Sequence, residues 1–169
     1  MEGLVVGIDL CDAYTQVNCS DEEKTWTIPT VICRSKSTDE WYVGKEAYAH
    51  NLQGDGIIVD KLVKLARKDG TATLCEIRYS AKELLTRFLE HVLRFPTEEY
   101  GKKPILQLVI AVPRLEAELI RLLKDCVGQL GFEDQKVHII SHPESFTYYV
   151  LSQKKDIWNG VVGMFELSD

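Results

Sequence analysis

Residues 105–112, Ile105-Leu106-Gln107-Leu108-Val109-Ile110-Ala111-Val112, form a nearly continuous apolar run between Pro104 and Pro113. A run of this length reads as a strand buried on both faces, so the chain must build layers on either side of it. The next segment is helical, with Leu115, Leu119, Leu122, Leu123, Cys126, Val127 and Leu130 inward and Gly131 as its stop. Val137-His138-Ile139-Ile140 is another short buried strand. Ser141-His142-Pro143-Glu144 then opens a helix, with proline where a missing N–H costs nothing, and Phe146, Tyr149 and Val150 are its expected inner face. After a polar stretch over 154–160, residues 161–167 read as a final strand. Strand, helix, strand, helix, strand implies parallel pairing with right-handed crossovers.

The front of the chain has a different period. Leu4 to Leu10 is an apolar strand carrying Gly7 and Asp9 near its end, and Tyr14 to Cys19 follows at once as a second strand. The pair reads as a tight hairpin with a carboxylate beside its turn. Such a turn can aim backbone N–H groups at an anion while Asp9 holds a hydrated metal ion. These residues alone favour the plainer reading, a hairpin whose Asp9 caps a bend. Residues 22–24 are expected to be a polar turn, with short strands over 26–29, 30–33 and 40–43. Helices are expected over 45–52 and 61–68, and one threonine-rich strand over 71–78. Ser80-Ala81-Lys82-Glu83 is a capping box, and its helix carries Leu84, Leu85, Phe88, Leu89, Val92 and Leu93 on one face until Pro96 stops it. Hairpins in front and βαβ units behind give an α/β fold of ribonuclease-H-like pattern, a mixed five-stranded sheet flanked by helices.

Composition narrows the functions. A net charge of −6 over 169 residues argues against a nucleic-acid or anionic-membrane partner, and no apolar run reaches membrane-spanning length. The N-terminus lacks the basic region of a secretory signal, so the chain reads as cytoplasmic. Five scattered cysteines without a C-x-x-C pair fit reduced thiols, and four histidines form no cluster at zinc spacing. A metal centre built by this chain alone is therefore not expected.

Several short motifs occur in a recognisable order. Gly7-Ile8-Asp9-Leu10 with Tyr14 is similar to G-I-D-L-G-T-T-x-S, and Pro29-Thr30-Val31 with Val43-Gly44-Lys45-Glu46-Ala47 to P-S/T-x-V and I-G-x-x-A. Val109-Ile110-Ala111-Val112-Pro113 is similar to V-I-T-V-P, Lys124 to Gly128 to K-D-A-G, and Ile139 to Pro143 to I-I-N-E-P. Met164-Phe165-Glu166-Leu167 falls on the start of F-D-L-G-G-G. The chain thus resembles the N-terminal lobe of an actin-like ATPase, most closely that of the heat-shock chaperones of the seventy-kilodalton class. The resemblance implies a main subdomain of residues 1–34 and 105–169, with 35–104 as a smaller inserted α+β subdomain. It places phosphate contacts at Cys11, Asp12, Ala13 and Lys61 or Lys64, a water-mediated metal contact at Asp9, and vestigial catalytic positions at Asp9, His142 and Glu166.

The departures from that pattern weaken the activity it implies. Cys11 stands where the motif has a glycine, and a side chain there obstructs the approach of backbone N–H groups to phosphate. Asp12 stands where it has a threonine; a like charge at roughly 4 Å and an effective dielectric of about 20 costs on the order of 4 kcal/mol, or about a thousandfold in affinity. His142 replaces a glutamate and Glu166 an aspartate. The sequence also ends inside the second phosphate motif, as an excised piece of a longer protein would. Three readings follow. The first is a degenerate, non-catalytic lobe used for interaction or scaffolding in a larger protein, with no cofactor. It would meet an unknown protein partner or a missing C-terminal lobe, or self-associate through its exposed face. The second is an ATPase lobe, with ATP and Mg as cofactors, that needs its second half. The third is a ribonuclease-H-type nuclease, for which Asp9 and Glu166 supply too few carboxylates. The first is preferred.

Overall fold

The computed structural model describes residues 3–20, 22–101 and 103–152; the side chains of residues 22 and 23, the expected final strand and Glu166 lie outside that description. Strand β1 (Leu4–Leu10) turns through residues 11–13 into β2 (Tyr14–Cys19), which turns again into β3 (Glu22–Pro29). Then come β4 (Ile32–Ser35), β5 (Trp41–Val43), α1 (Lys45–Leu52), β6 (Gly56–Val59) and α2 (Leu62–Arg67). A hairpin of β7 (Thr71–Leu74) and β8 (Ile77–Ser80) leads to α3 (Ala81–Glu99), β9 (Ile105–Val112), α4 (Ala117–Gln129), β10 (Val137–Ser141) and α5 (His142–Ser152).

Among the described residues the main sheet is five-stranded and mixed, in the order β10-β9-β1-β2-β3. β1 pairs antiparallel with β2 and parallel with β9, and β10 runs parallel to β9. The fold is thus α/β with a mixed five-stranded sheet and flanking helices. Alternation along β1 divides its faces: Leu4, Val6, Ile8 and Leu10 are at most 2% exposed. Those four join Leu84, Phe88, Leu89 and Val92 of α3 and Leu119 and Leu123 of α4 in one hydrophobic cluster. On the other face Val5, Gly7, Asp9, Asn18, Val109 and Ala111 line an open cleft. A Cβ at Gly7 would stand 2.4 Å from Oδ1 of its cross-strand partner Asn18, so a larger residue there would have to displace that exposed side chain.

The segment between β3 and β9 builds a three-stranded sheet, β5-β4-β6, and the β7–β8 hairpin. Arg34, 6% exposed, pairs with Asp39 and lies 6.0 and 5.6 Å from the rings of Trp41 and Tyr79, so it ties the two small sheets together. Helix α3 leaves that segment to pack on α4 and β2.

Several local expectations are corrected. Residues 22–24 belong to β3, not to a turn, because β2 reverses more tightly at Ser20 and Cys19 already faces Glu22. Residues 71–78 are a hairpin rather than one strand: Cys75 and Glu76 both take positive φ, 50° and 66°, and reverse the chain without glycine. Pro96 does not stop α3, which runs on to Glu99. Its ring is buried, and Trp26 packs against Phe95 and Tyr100 at 6.4 and 6.3 Å, so tertiary contact holds the last turn. β9 is not covered along its whole length, since Leu106 is 40% exposed while Leu108, Ile110 and Val112 are buried. In α5, Phe146 and Tyr149 face outward and only His142 is buried, because apolar residues surround this helix instead of forming one stripe.

The capping box opens α3 as expected: Ser80 Oγ accepts the Glu83 N–H at 3.2 Å, and Glu83 Oε2 accepts the Ser80 N–H at 2.8 Å. Ser80→Ala removes the first of these bonds and should destabilise the fold by about 1 kcal/mol. Urea unfolding should show a lower midpoint at unchanged slope.

Candidate functional site

β1, β9 and β10 run parallel, so their C-terminal ends gather at one edge of the main sheet. Asp9 lies near the end of β1, Cys11 is the first residue of its turn, and His142 opens α5 directly after β10. Ser141 prepares that helix start by accepting the Glu144 N–H on Oγ at 3.2 Å. The topology therefore joins residues more than 130 positions apart.

The contacts centre on one ring nitrogen. His142 Nε2 is 2.7 Å from Asp9 Oδ1 and 3.8 Å from Cys11 Sγ, and Cys11 Sγ is 3.7 Å from the same Oδ1. The His142 side chain is 9% exposed, while that of Asp9 is 50% exposed and Cys11 is half-buried. The hydrogen bond to Asp9, with the Cys11 contact adding to it, holds the imidazole proton against the opposing effect of burial and pushes its pKa up to about 10. At neutral pH the pair is therefore an imidazolium–carboxylate ion pair facing a thiol.

This is not a thiol-protease arrangement. A catalytic cysteine and its orienting carboxylate engage different nitrogens of the imidazole, so that one nitrogen accepts while the other donates. Here both meet Nε2, leaving no basic nitrogen toward the sulfur.

Of the other expected phosphate contacts, the Asp12 carboxylate and the Ala13 backbone are engaged elsewhere. Asp12 Oδ1 accepts the backbone N–H of Lys64 at 3.0 Å, so its carboxylate satisfies an orphan donor in the first turn of α2. Ala13 is exposed, and its carbonyl accepts the Thr30 N–H at 3.1 Å. Lys61 precedes α2 with an exposed side chain, and the backbone of Lys64, rather than either ammonium, meets the turn. Arg67 of α2 pairs with Glu116, which raises the arginine pKa, lowers that of the glutamate and ties α2 to the start of α4. Asp9 and His142 are each visible in sequence as isolated positions. Cys11 as their third partner is not, although parallel strands ending at one edge were its signal.

The ion pair makes stability depend on pH. The His142 pKa in the folded state, about 10, lies above the ordinary 6.5. The stabilisation is thus fully present below pH 6.5 and lost as pH rises through 10. Because Asp9 is half exposed, solvent screening leaves on the order of 1 kcal/mol. In metal-free buffer, denaturant unfolding of the natural chain should lose that increment between neutral and alkaline pH. His142→Gln and Asp9→Asn should each start lower and lack that part of the slope.

No curated protein matches the chain at a significant level. Among the described residues, no helix is long and apolar enough to cross a membrane. A family model described as a family of unknown function, DUF5716 C-terminal, matches residues 13–169, a span that includes His142 and begins just after Asp9 and Cys11. The chain belongs to the DUF5716 C-terminal family.

Proposed function

We propose that this chain is a degenerate lobe of the actin-like ATPase type that performs no nucleotide chemistry and serves a larger protein as an interaction or scaffold module. The sheet order β10-β9-β1-β2-β3, with two parallel and two antiparallel pairings, supports a ribonuclease-H-like reading of the fold. The observation that carries the functional reading is the closed turn at the end of β1. Its leading carboxylate, Asp9, is held by His142, its glycine position carries the Cys11 side chain, and Asp12 is fixed to the backbone of α2.

Phosphate binding needs converging N–H donors and a close backbone approach. This turn instead offers two carboxylates and a thiol. The repulsion expected from Asp12 is softened by its bond to Lys64, but the bond also keeps that carboxylate beside the turn. Phe146, Tyr148, Tyr149 and Leu151 are exposed on α5, which supplies apolar surface suited to a protein partner or a second copy.

Calorimetric titration with Mg-ATP tests the reading. The natural chain should give no binding heat at micromolar concentrations. The double variant Cys11→Gly, Asp12→Thr should recover weak affinity if the turn retains a phosphate-binding shape. Micromolar binding by the natural chain would overturn the proposal in favour of an ATPase lobe.

A further inference from the structure

We infer that Asp9, Cys11 and His142 form a three-ligand site for a transition-metal dication, zinc above all, with the fourth coordination position open to solvent. The reading is independent of the proposed function, since it involves no nucleotide and no second lobe. It starts from the convergence described above. A carboxylate oxygen, a sulfur and an imidazole nitrogen, contributed by β1, its turn and the start of α5, all lie within 4.8 Å of one another.

The distances match the edges of a coordination tetrahedron. Zinc binds sulfur at about 2.3 Å, imidazole nitrogen at about 2.0–2.1 Å and carboxylate oxygen at about 2.0–2.2 Å. Tetrahedral angles then place sulfur roughly 3.5 Å from nitrogen and from oxygen, and nitrogen roughly 3.4 Å from oxygen. The observed sulfur edges are 3.8 and 3.7 Å, a few tenths too long. The nitrogen–oxygen edge is a hydrogen bond of 2.7 Å and must open by about 0.7 Å. Asp9 is half exposed, so a rotation of its carboxylate can provide that opening while the buried His142 keeps its place.

The donor set also selects the metal. Magnesium takes oxygen ligands, whereas thiolate with imidazole favours zinc, copper and cobalt. A ring nitrogen facing both a sulfur and a carboxylate can give its one proton to only one of them. A metal ion in that proton's place bonds to all three. Its entry displaces the Nε2 proton and the thiol proton to solvent, leaving neutral imidazole, thiolate and carboxylate around the dication. Three protein ligands and an open position distinguish such a centre from a closed structural site.

Cobalt reports sulfur ligation directly. The reduced, metal-free 169-residue chain should take up one equivalent of Co²⁺. Binding should produce a thiolate-to-cobalt charge-transfer band in the near ultraviolet with intense visible d–d bands, and zinc should abolish both. Cys11→Ser should lose the charge-transfer band, and Asp9→Asn should weaken cobalt binding about tenfold or more. Both residues are at least partly exposed, so these variants should keep the natural circular-dichroism spectrum, which serves as the control for folding. Absence of the band from the natural chain in excess cobalt would overturn the inference. So would a band that survives Cys11→Ser and disappears with Cys75→Ser, the other half-buried cysteine.

Discussion

The alternation of β1 is the constraint on which the rest of the molecule depends. Leu4, Val6, Ile8 and Leu10 point into the core formed with α3 and α4, so Val5, Gly7 and Asp9 must point the other way. The side-chain period of a strand is two, and a slip of one residue would bury Asp9 and expose four core residues. Each such apolar side chain contributes about 1.5–3 kcal/mol by burial, so the register is strongly specified. β1 is also paired on both edges, with β2 and β9. The position of Asp9 is therefore set by core packing in a part of the strand that Asp9 itself does not touch.

The same reasoning explains how much was legible in sequence. Helix α1 falls on the residues expected of it, β9 on the apolar run, and the capping box where serine and glutamate stand three apart. Each of these signals is local and does not compete with another. The errors arise where tertiary contact overrides the local rule. Pro96 is carried inside α3 because Trp26 packs over the helix end. Cys75 and Glu76 make a turn in the left-handed region that their side chains disfavour, and no glycine or asparagine signalled it. The faces of α5 were not readable, since its apolar residues, Val150 and Leu151 included, do not form one stripe.

The site was legible in its parts and not as a whole. Residues 9 and 142 stood out as positions in motifs, but nothing in the spacing of Asp9, Cys11 and His142 resembles a metal or catalytic signature. Their proximity comes from sheet topology: β9 lies beside β1 and β10 beside β9, all pointing the same way. Ligands gather at the carboxyl ends of parallel strands for this reason, and only knowledge of the strand order brings residue 142 to residue 9.

Histidine at position 142 sets the electrostatics of this edge of the sheet. A carboxylate there would stand about 3 Å from Asp9, and at an effective dielectric of about 20 the repulsion would be on the order of 5 kcal/mol. Such a pair is stable only with a hard cation between its members or with one of them protonated. An imidazolium reverses the sign, and the edge closes by itself at neutral pH. Its position at the start of α5 opposes the helix dipole, a conflict that the Asp9 carboxylate offsets. The same imidazole brings a nitrogen donor against the Cys11 sulfur. Asp9, Cys11 and His142 thus bring oxygen, sulfur and nitrogen donors together, a set that suits a softer ion than magnesium.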